Sequence, residues 1–174
     1  MIPLIIIDPT DPCSAKVAGD QSFLKCFVRY APREFTITWI GIAAGLNTYR
    51  MGKKNRVKCG TRDITFIPIM REPHENCRKR IPLALRFVLR LIPYRIDRDG
   101  ILMFNRIEPL LLCKKQRRRN VLFIHNDVRA IADKTVTDSL WSTVPALYRW
   151  VERCSVRSCA RIFSVSSASY QYYR

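Results

Sequence analysis

The six residues Ile2 to Ile7 form an apolar run, and Asp8-Pro9-Thr10-Asp11-Pro12 ends it. A run this short, bounded by turn residues, predicts a strand buried on both faces. Such a strand needs a covered sheet, and that requirement constrains the rest of the chain. Phe35 to Ile42, rich in Thr, Ile and Trp, predicts a second strand. Val57 to Cys59, Gly60-Thr61-Arg62 and Asp63 to Met70 predict a hairpin, or a third strand with a lead-in. Gly100 to Phe104, Val121 to Ile124 and Arg161 to Val165 are further short apolar strands.

Helical segments fall between them. Phe23, Leu24, Phe27 and Val28 keep helical spacing across Ser22 to Tyr30, and Pro32 stops that segment. Pro82 to Ile92 predicts a helix with Pro in its first turn and with Arg86 and Arg90 on one face. Pro109 to Cys113 begins a short helix or turn. Ser142 or Thr143 is expected to cap a helix with Pro145 in its first turn and a stripe of Val144, Leu147, Tyr148, Val151 and Cys154. Ser166 to Tyr173 opens a last helix, while residues 43–56 and 128–140 read as loops. The predicted class is α/β: a Rossmann-like, mainly parallel sheet with helices on both faces, in a single domain over residues 1–174. In that architecture ligands sit outside the carboxyl ends of the strands. Here those positions are Asp8 to Gln21, Asn105 to Glu108, His125 to Asp127, and Ser166.

Composition narrows the partners. With 48% apolar and 26% charged residues, the 174-residue chain is globular rather than disordered. Its 31 Lys and Arg against 14 Asp and Glu give a formal charge of +17. Residues 51–120 hold 19 of the basic residues and six of the acidic ones, with dense runs at 78–80 and 114–119. That field attracts polyanions: nucleic acid, anionic headgroups or phosphorylated small molecules. The alternative is a solvated basic face without a specific partner. No apolar run reaches the 18 or so residues of a bilayer span, and no secretory signal is recognisable. The chain is therefore read as cytoplasmic, with peripheral contact at the inner face of the membrane as a further expectation. Seven Cys, at 13, 26, 59, 77, 113, 154 and 159, form no CxxC pair, so neither a disulfide framework nor a zinc site is indicated. No metal and no cofactor is expected.

Motifs exclude more than they assign. A GxGxxG fingerprint, a GxxxxGK[ST] phosphate loop and a GxSxG elbow are all absent. That argues against NAD enzymes, P-loop ATPases and serine hydrolases. No specific nucleic-acid motif is recognisable either. Gly19, Asp20 and Gln21 follow the first strand and offer backbone N–H groups to a phosphate or a sugar hydroxyl, or form a plain strand-to-helix turn. His125 ends an apolar strand and is followed by Asn126 and Asp127; it is a hydrogen-bond donor or general base, or a structural loop histidine. His74 reads as an ordinary member of a basic loop. Arg106 and Glu108 serve a site or pair with each other, and Ser166 serves a site or caps the last helix.

Three blocks together carry a resemblance. They are Gly19-Asp20-Gln21-Ser22-Phe23-Leu24; Leu102-Met103-Phe104-Asn105-Arg106-Ile107-Glu108-Pro109; and a series from Val121–Asp127 through Tyr148–Arg153 to Phe163-Ser164-Val165-Ser166. Their order resembles the N-terminal half of family 4 glycosyltransferases of the GT-B fold, over nearly the whole chain. Two departures are Asn105, where the family pattern usually has His, and Ala18-Gly19 in place of a Gly pair.

The resemblance implies sugar transfer from a nucleotide-activated donor to an acceptor glycan or lipid-linked acceptor, without a metal. It makes this chain the acceptor-side domain, ending near the point where a C-terminal donor-binding domain would begin. On that basis the chain alone is expected to be inactive. His125 would be the catalytic contact. Gly19, Asp20, Gln21, Asn105, Arg106, Glu108, Asn126, Asp127 and Ser166 would bind substrate. The competing reading is a non-enzymatic basic module binding nucleic acid or an anionic membrane surface.

Overall fold

A computed structural model describes residues 1–14, 19–45, 48–72, 83–96, 99–124, 144–164 and 167–173. The chain falls into two compact units, Met1–Leu102 and Met103–Arg174. In order, the elements of the first are β1 (Ile2–Ile7), α1 (Gly19–Tyr30), β2 (Phe35–Ala43), β3 (Asn55–Cys59), β4 (Arg62–Arg71) and α2 (Leu83–Leu91). β5 (Ile101–Phe104) carries the chain into the second unit. There follow a 3-10 helix (Pro109–Arg119), β6 (Asn120–Ile124), α3 (Pro145–Val156), β7 (Arg161–Ser164) and α4 (Ser167–Tyr173). The class is α/β, and parallel pairing predominates among the described strands.

In the first unit β1 pairs with β2 and β2 with β4, both in parallel, while β3 pairs antiparallel with β4. The order is therefore β3-β4-β2-β1. The buried end of β1, Leu4 to Ile7, fits the strand covered on both faces that its apolar run predicts. Leu24 and Val28 of α1 are fully buried, with Trp39, Ile40, Phe66, Phe87 and Leu91 also in the core. The β3–β4 hairpin turns at Gly60-Thr61, and Gly60 takes φ +63°, the left-handed backbone that a primed two-residue turn requires. Arg62, the first residue of β4, closes this unit at the opposite end from the loops that follow β1. Its guanidinium donates to the carbonyls of Ala31 (2.5 Å), Pro32 (3.0 Å) and Phe35 (2.5 Å), tying down the α1–β2 turn.

In the second unit β6 and β7 pair in parallel, and Phe123 stacks on Phe163 at 4.9 Å. Asn120 is wholly buried and donates to the carbonyls of Cys113 (2.9 Å) and Ser158 (2.8 Å). The segment from Pro109 continues through the basic run as one 3-10 helix, longer than the short helix or turn expected at 109–113.

The buried face of α3 differs from the expected stripe. Tyr148 and Val151 are buried, but Val144 and Leu147 are exposed, and Glu152 and Ser155 are buried instead. Hydrogen bonds turn this face inward. Ser155 Oγ donates to the carbonyl of Ile107 (2.8 Å), and the Glu152 carboxylate accepts from the hydroxyls of Tyr172 (3.1 Å) and Tyr173. A buried polar group with a partner costs little, so periodicity of apolar residues alone misplaced the stripe. The helix cap falls on Val144 and makes no side-chain bond, in place of the expected Ser142 or Thr143, which lie outside the described residues.

Arg62→Ala removes three bonds from a charged donor and leaves half-buried carbonyls to find water. We expect a loss of about 2 kcal/mol and a melting temperature lower by roughly 4–8 °C, read by circular dichroism. An unchanged melting temperature would show that the α1–β2 turn holds without it.

Candidate functional site

The carboxyl ends of β1, β2 and β4 meet the first turns of α1 and α2 around a notch of about 30 Å³. Thr10, Asp11 and Ser14 reach it from the loop after β1, Gln21 from α1, Ala44 from the end of β2, and Glu72 from the end of β4. This is the edge where an open parallel sheet binds its ligands. The volume matches one water molecule rather than a sugar ring, so the notch is a floor on which a ligand would rest.

Its geometry is fixed by the turn after β1. Asp8 and Asp11 are both buried. Asp8 Oδ1 accepts from the Thr10 hydroxyl at 2.5 Å. Asp11 Oδ1 accepts from the backbone N–H of Cys13 (2.8 Å) and from the Tyr49 hydroxyl (3.4 Å), and Oδ2 accepts from the N–H of Ala44 (2.9 Å). One carboxylate thus joins the loop after β1 to the loop after β2. The backbone follows: Asp8 N–H donates to the carbonyl of Ile40 (3.1 Å), and Ile42 N–H to that of Thr10 (3.3 Å). Gly41 permits this approach. A Cβ there would stand 2.2 Å from the Thr10 carbonyl oxygen, so no other residue fits without moving the loop.

Two neighbouring groups, the Tyr49 hydroxyl and the Cys13 thiol, are held neutral. Burial, then hydrogen bonding to Cys13 and the negative Asp11, drive the Tyr49 hydroxyl far above its ordinary range. Burial chiefly raises the Cys13 thiol as well, with Asp11 adding to the rise and Tyr49 and Lys25 opposing it. Neither is an activated nucleophile at neutral pH. Lys25 Nζ donates to the Ser14 carbonyl. Among the described residues, the charged groups that line the notch are carboxylates, Asp11 and Glu72, which disfavour an anionic ligand and favour neutral hydroxyls as partners.

The sequence-derived candidates are distributed as follows. Gln21 is half-buried and lines the notch. Gly19 and Asp20 form the first residues of α1 rather than a turn before it; Gly19 is exposed, with nothing within 4 Å of a Cβ built on it. Asn105, Arg106 and Glu108 lie together in the second unit, after β5. There Arg106 is exposed and Glu108 buried, and Asn105 Oδ1 is buried with no hydrogen-bond partner among the described residues. Ser155 Oγ holds this segment through Ile107. His125, Asn126, Asp127 and Ser166 lie outside the described residues. Sequence reasoning missed Thr10 and Asp11 as individual site residues. The available signal was Asp8-Pro9-Thr10-Asp11-Pro12 itself, since Asp side chains in such turns bond the backbone two residues on.

Elsewhere in the second unit, burial raises the buried Cys113 thiol to about 11 and the half-buried Cys159 thiol to about 12, so both are neutral. Among the described residues no group of three or more His, Cys, Asp or Glu is placed to hold a metal ion, and no helix is long and apolar enough to cross a membrane. Compared with known proteins, the chain matches no family model, no curated protein and no solved structure.

Asp11→Ala should loosen both loops at once. Amide exchange at Cys13 and Ala44 is expected to accelerate by about tenfold or more, while the β3–β4 hairpin amides keep their protection. Unchanged exchange at Ala44 would contradict the clamp.

Proposed function

We propose that this chain is the acceptor-side domain of a GT-B glycosyltransferase, contributing to the transfer of a sugar from a nucleotide-activated donor to a glycan or lipid-linked acceptor. The observation that carries the reading is the carboxylate- and amide-lined notch at the carboxyl ends of three parallel strands. Carboxylates and amides are the groups that hydrogen-bond sugar hydroxyls. A rim that carries two carboxylates is a poor seat for a diphosphate. A floor of this kind suits the acceptor rather than the donor. The order of the three sequence blocks supports the same assignment, and the buried Asn105 oxygen offers an acceptor to a hydroxyl donor in the second unit.

In this proposal Thr10, Gln21 and Glu72 orient acceptor hydroxyls, with Asp11 holding the loop that carries them. Gly19 and Asp20 shape the approach at the start of α1. Asn105, Arg106 and Glu108 shape the acceptor pocket, and Asn126, Asp127 and Ser166 are further substrate contacts by resemblance. His125 is the proposed catalytic hydrogen-bond partner of the reacting sugar. Transfer also needs a second wall that grips the nucleotide sugar and excludes water. A C-terminal donor-binding domain, in the same chain or a separate one, would supply it.

A donor-consumption assay tests this with three samples: the 174-residue chain, the chain joined to a donor-binding domain, and the joined protein carrying His125→Ala. Turnover is expected in the second sample alone, with a loss of about a hundredfold or more in the third. Turnover by the chain alone would refute the half-site reading. Full activity of the His125→Ala protein would remove His125 from the site.

A further inference from the structure

The outer face of α2 is unlike a solvated helix face. Leu85, Leu89 and Ile92, spaced four and three residues apart, are 37%, 50% and 59% exposed. Beside that apolar stripe run Arg86 and Arg90, one turn apart, while Phe87, Val88 and Leu91 face the core. A helix packed on one side and wetted on the other is expected to be polar outward. Here the outward face is half leucine-like and half guanidinium.

A groove of about 610 Å³ adjoins this face. Met70, Leu89 and Pro93 give it an apolar wall, Arg71, Arg86 and Arg90 give it a basic one, and no carboxylate among the described residues lines it. Arg86 Nε is buried and makes no hydrogen bond among the described residues. A buried guanidinium N–H without a partner is costly, and a phosphate oxygen is its best complement.

We propose that α2 and this groove dock the first unit on an acidic phospholipid surface. Arg86 and Arg90 would take the headgroup phosphate while Leu85, Leu89 and Ile92 enter the acyl boundary. The charge complementarity of the groove and its apolar neighbour select this occupant. A nucleic acid would satisfy the arginines but leave the apolar stripe in water, and α2 exposes no aromatic ring for a base to stack on. The chain's charge of +17 adds long-range attraction to the same surface.

The test is cosedimentation of the full 174-residue chain with vesicles of phosphatidylcholine, alone or with about 30% phosphatidylglycerol. The chain should bind the acidic vesicles, release in high salt and largely ignore the neutral ones. R86Q/R90Q should weaken binding by about 30-fold, and L89S/I92S by about tenfold. Circular dichroism should show both variants folded, since Leu89, Arg90 and Ile92 are exposed and glutamine keeps a polar side chain at the half-buried Arg86. Equal binding to the two vesicle types, or undiminished binding by either double variant, overturns the proposal. So does binding of a single-stranded oligonucleotide that R86Q/R90Q abolishes and L89S/I92S leaves intact. The assay contains neither sugar donor nor acceptor, so its failure leaves the transfer reading standing, and the reverse also holds.

Discussion

Asp11 is the interaction on which the first unit's functional edge depends. Its two carboxylate oxygens take backbone N–H groups from loops separated by 31 residues, at Cys13 and Ala44. Burying a carboxylate is expensive, and three hydrogen bonds with good partners offset that cost. The arrangement is possible because Gly41 lets the Thr10 carbonyl pass over β2. The rest of the edge follows. The loop after β1 is pinned against the ends of β2 and β4, Ser14 and Gln21 are brought to one rim, and Tyr49 remains neutral beside the carboxylate.

Local elements of this fold were legible wherever sequence pattern and tertiary burial agree. Ile2 to Ile7 has one stable use, and it is a strand buried at its carboxyl end. Gly60-Thr61 between alternating segments is the hairpin turn it resembles. Helix α1 buries Leu24 and Val28 from the predicted stripe. Legibility ends where polar groups are buried with distant partners. Glu152 reaches tyrosines 20 and 21 residues away, and Ser155 reaches a carbonyl 48 residues away, so no local periodicity reveals that α3 turns these positions inward. Arg62 and Asp11 were hidden for the same reason. Each acts through backbone groups, which carry no residue identity to read.

The candidate site was legible as a location before it was legible as residues. Parallel strands imply that function gathers at their carboxyl ends, and the described part of that edge is polar and buried. The groups that organise it differ from those that the resemblance emphasised. Asp8, Thr10 and Asp11 form the frame, Gln21 joins them, and Gly19 sits on the exposed start of α1. The chemistry of that rim, carboxylates and amides around a closed floor, favours recognition of hydroxyls. The basic groove along α2 favours phosphate. These two surfaces of the first unit thus differ in electrostatic character.

Amide chemical shifts of the isotope-labelled chain, titrated separately with neutral oligosaccharides and with inorganic diphosphate, test the proposed hydroxyl recognition most directly. A saccharide is expected to move the resonances of Thr10, Asp11, Ser14, Gln21, Ala44 and Glu72, and diphosphate to leave them in place. Shifts at those residues with diphosphate alone, or saccharide shifts clustered away from the ends of β1, β2 and β4, would contradict it.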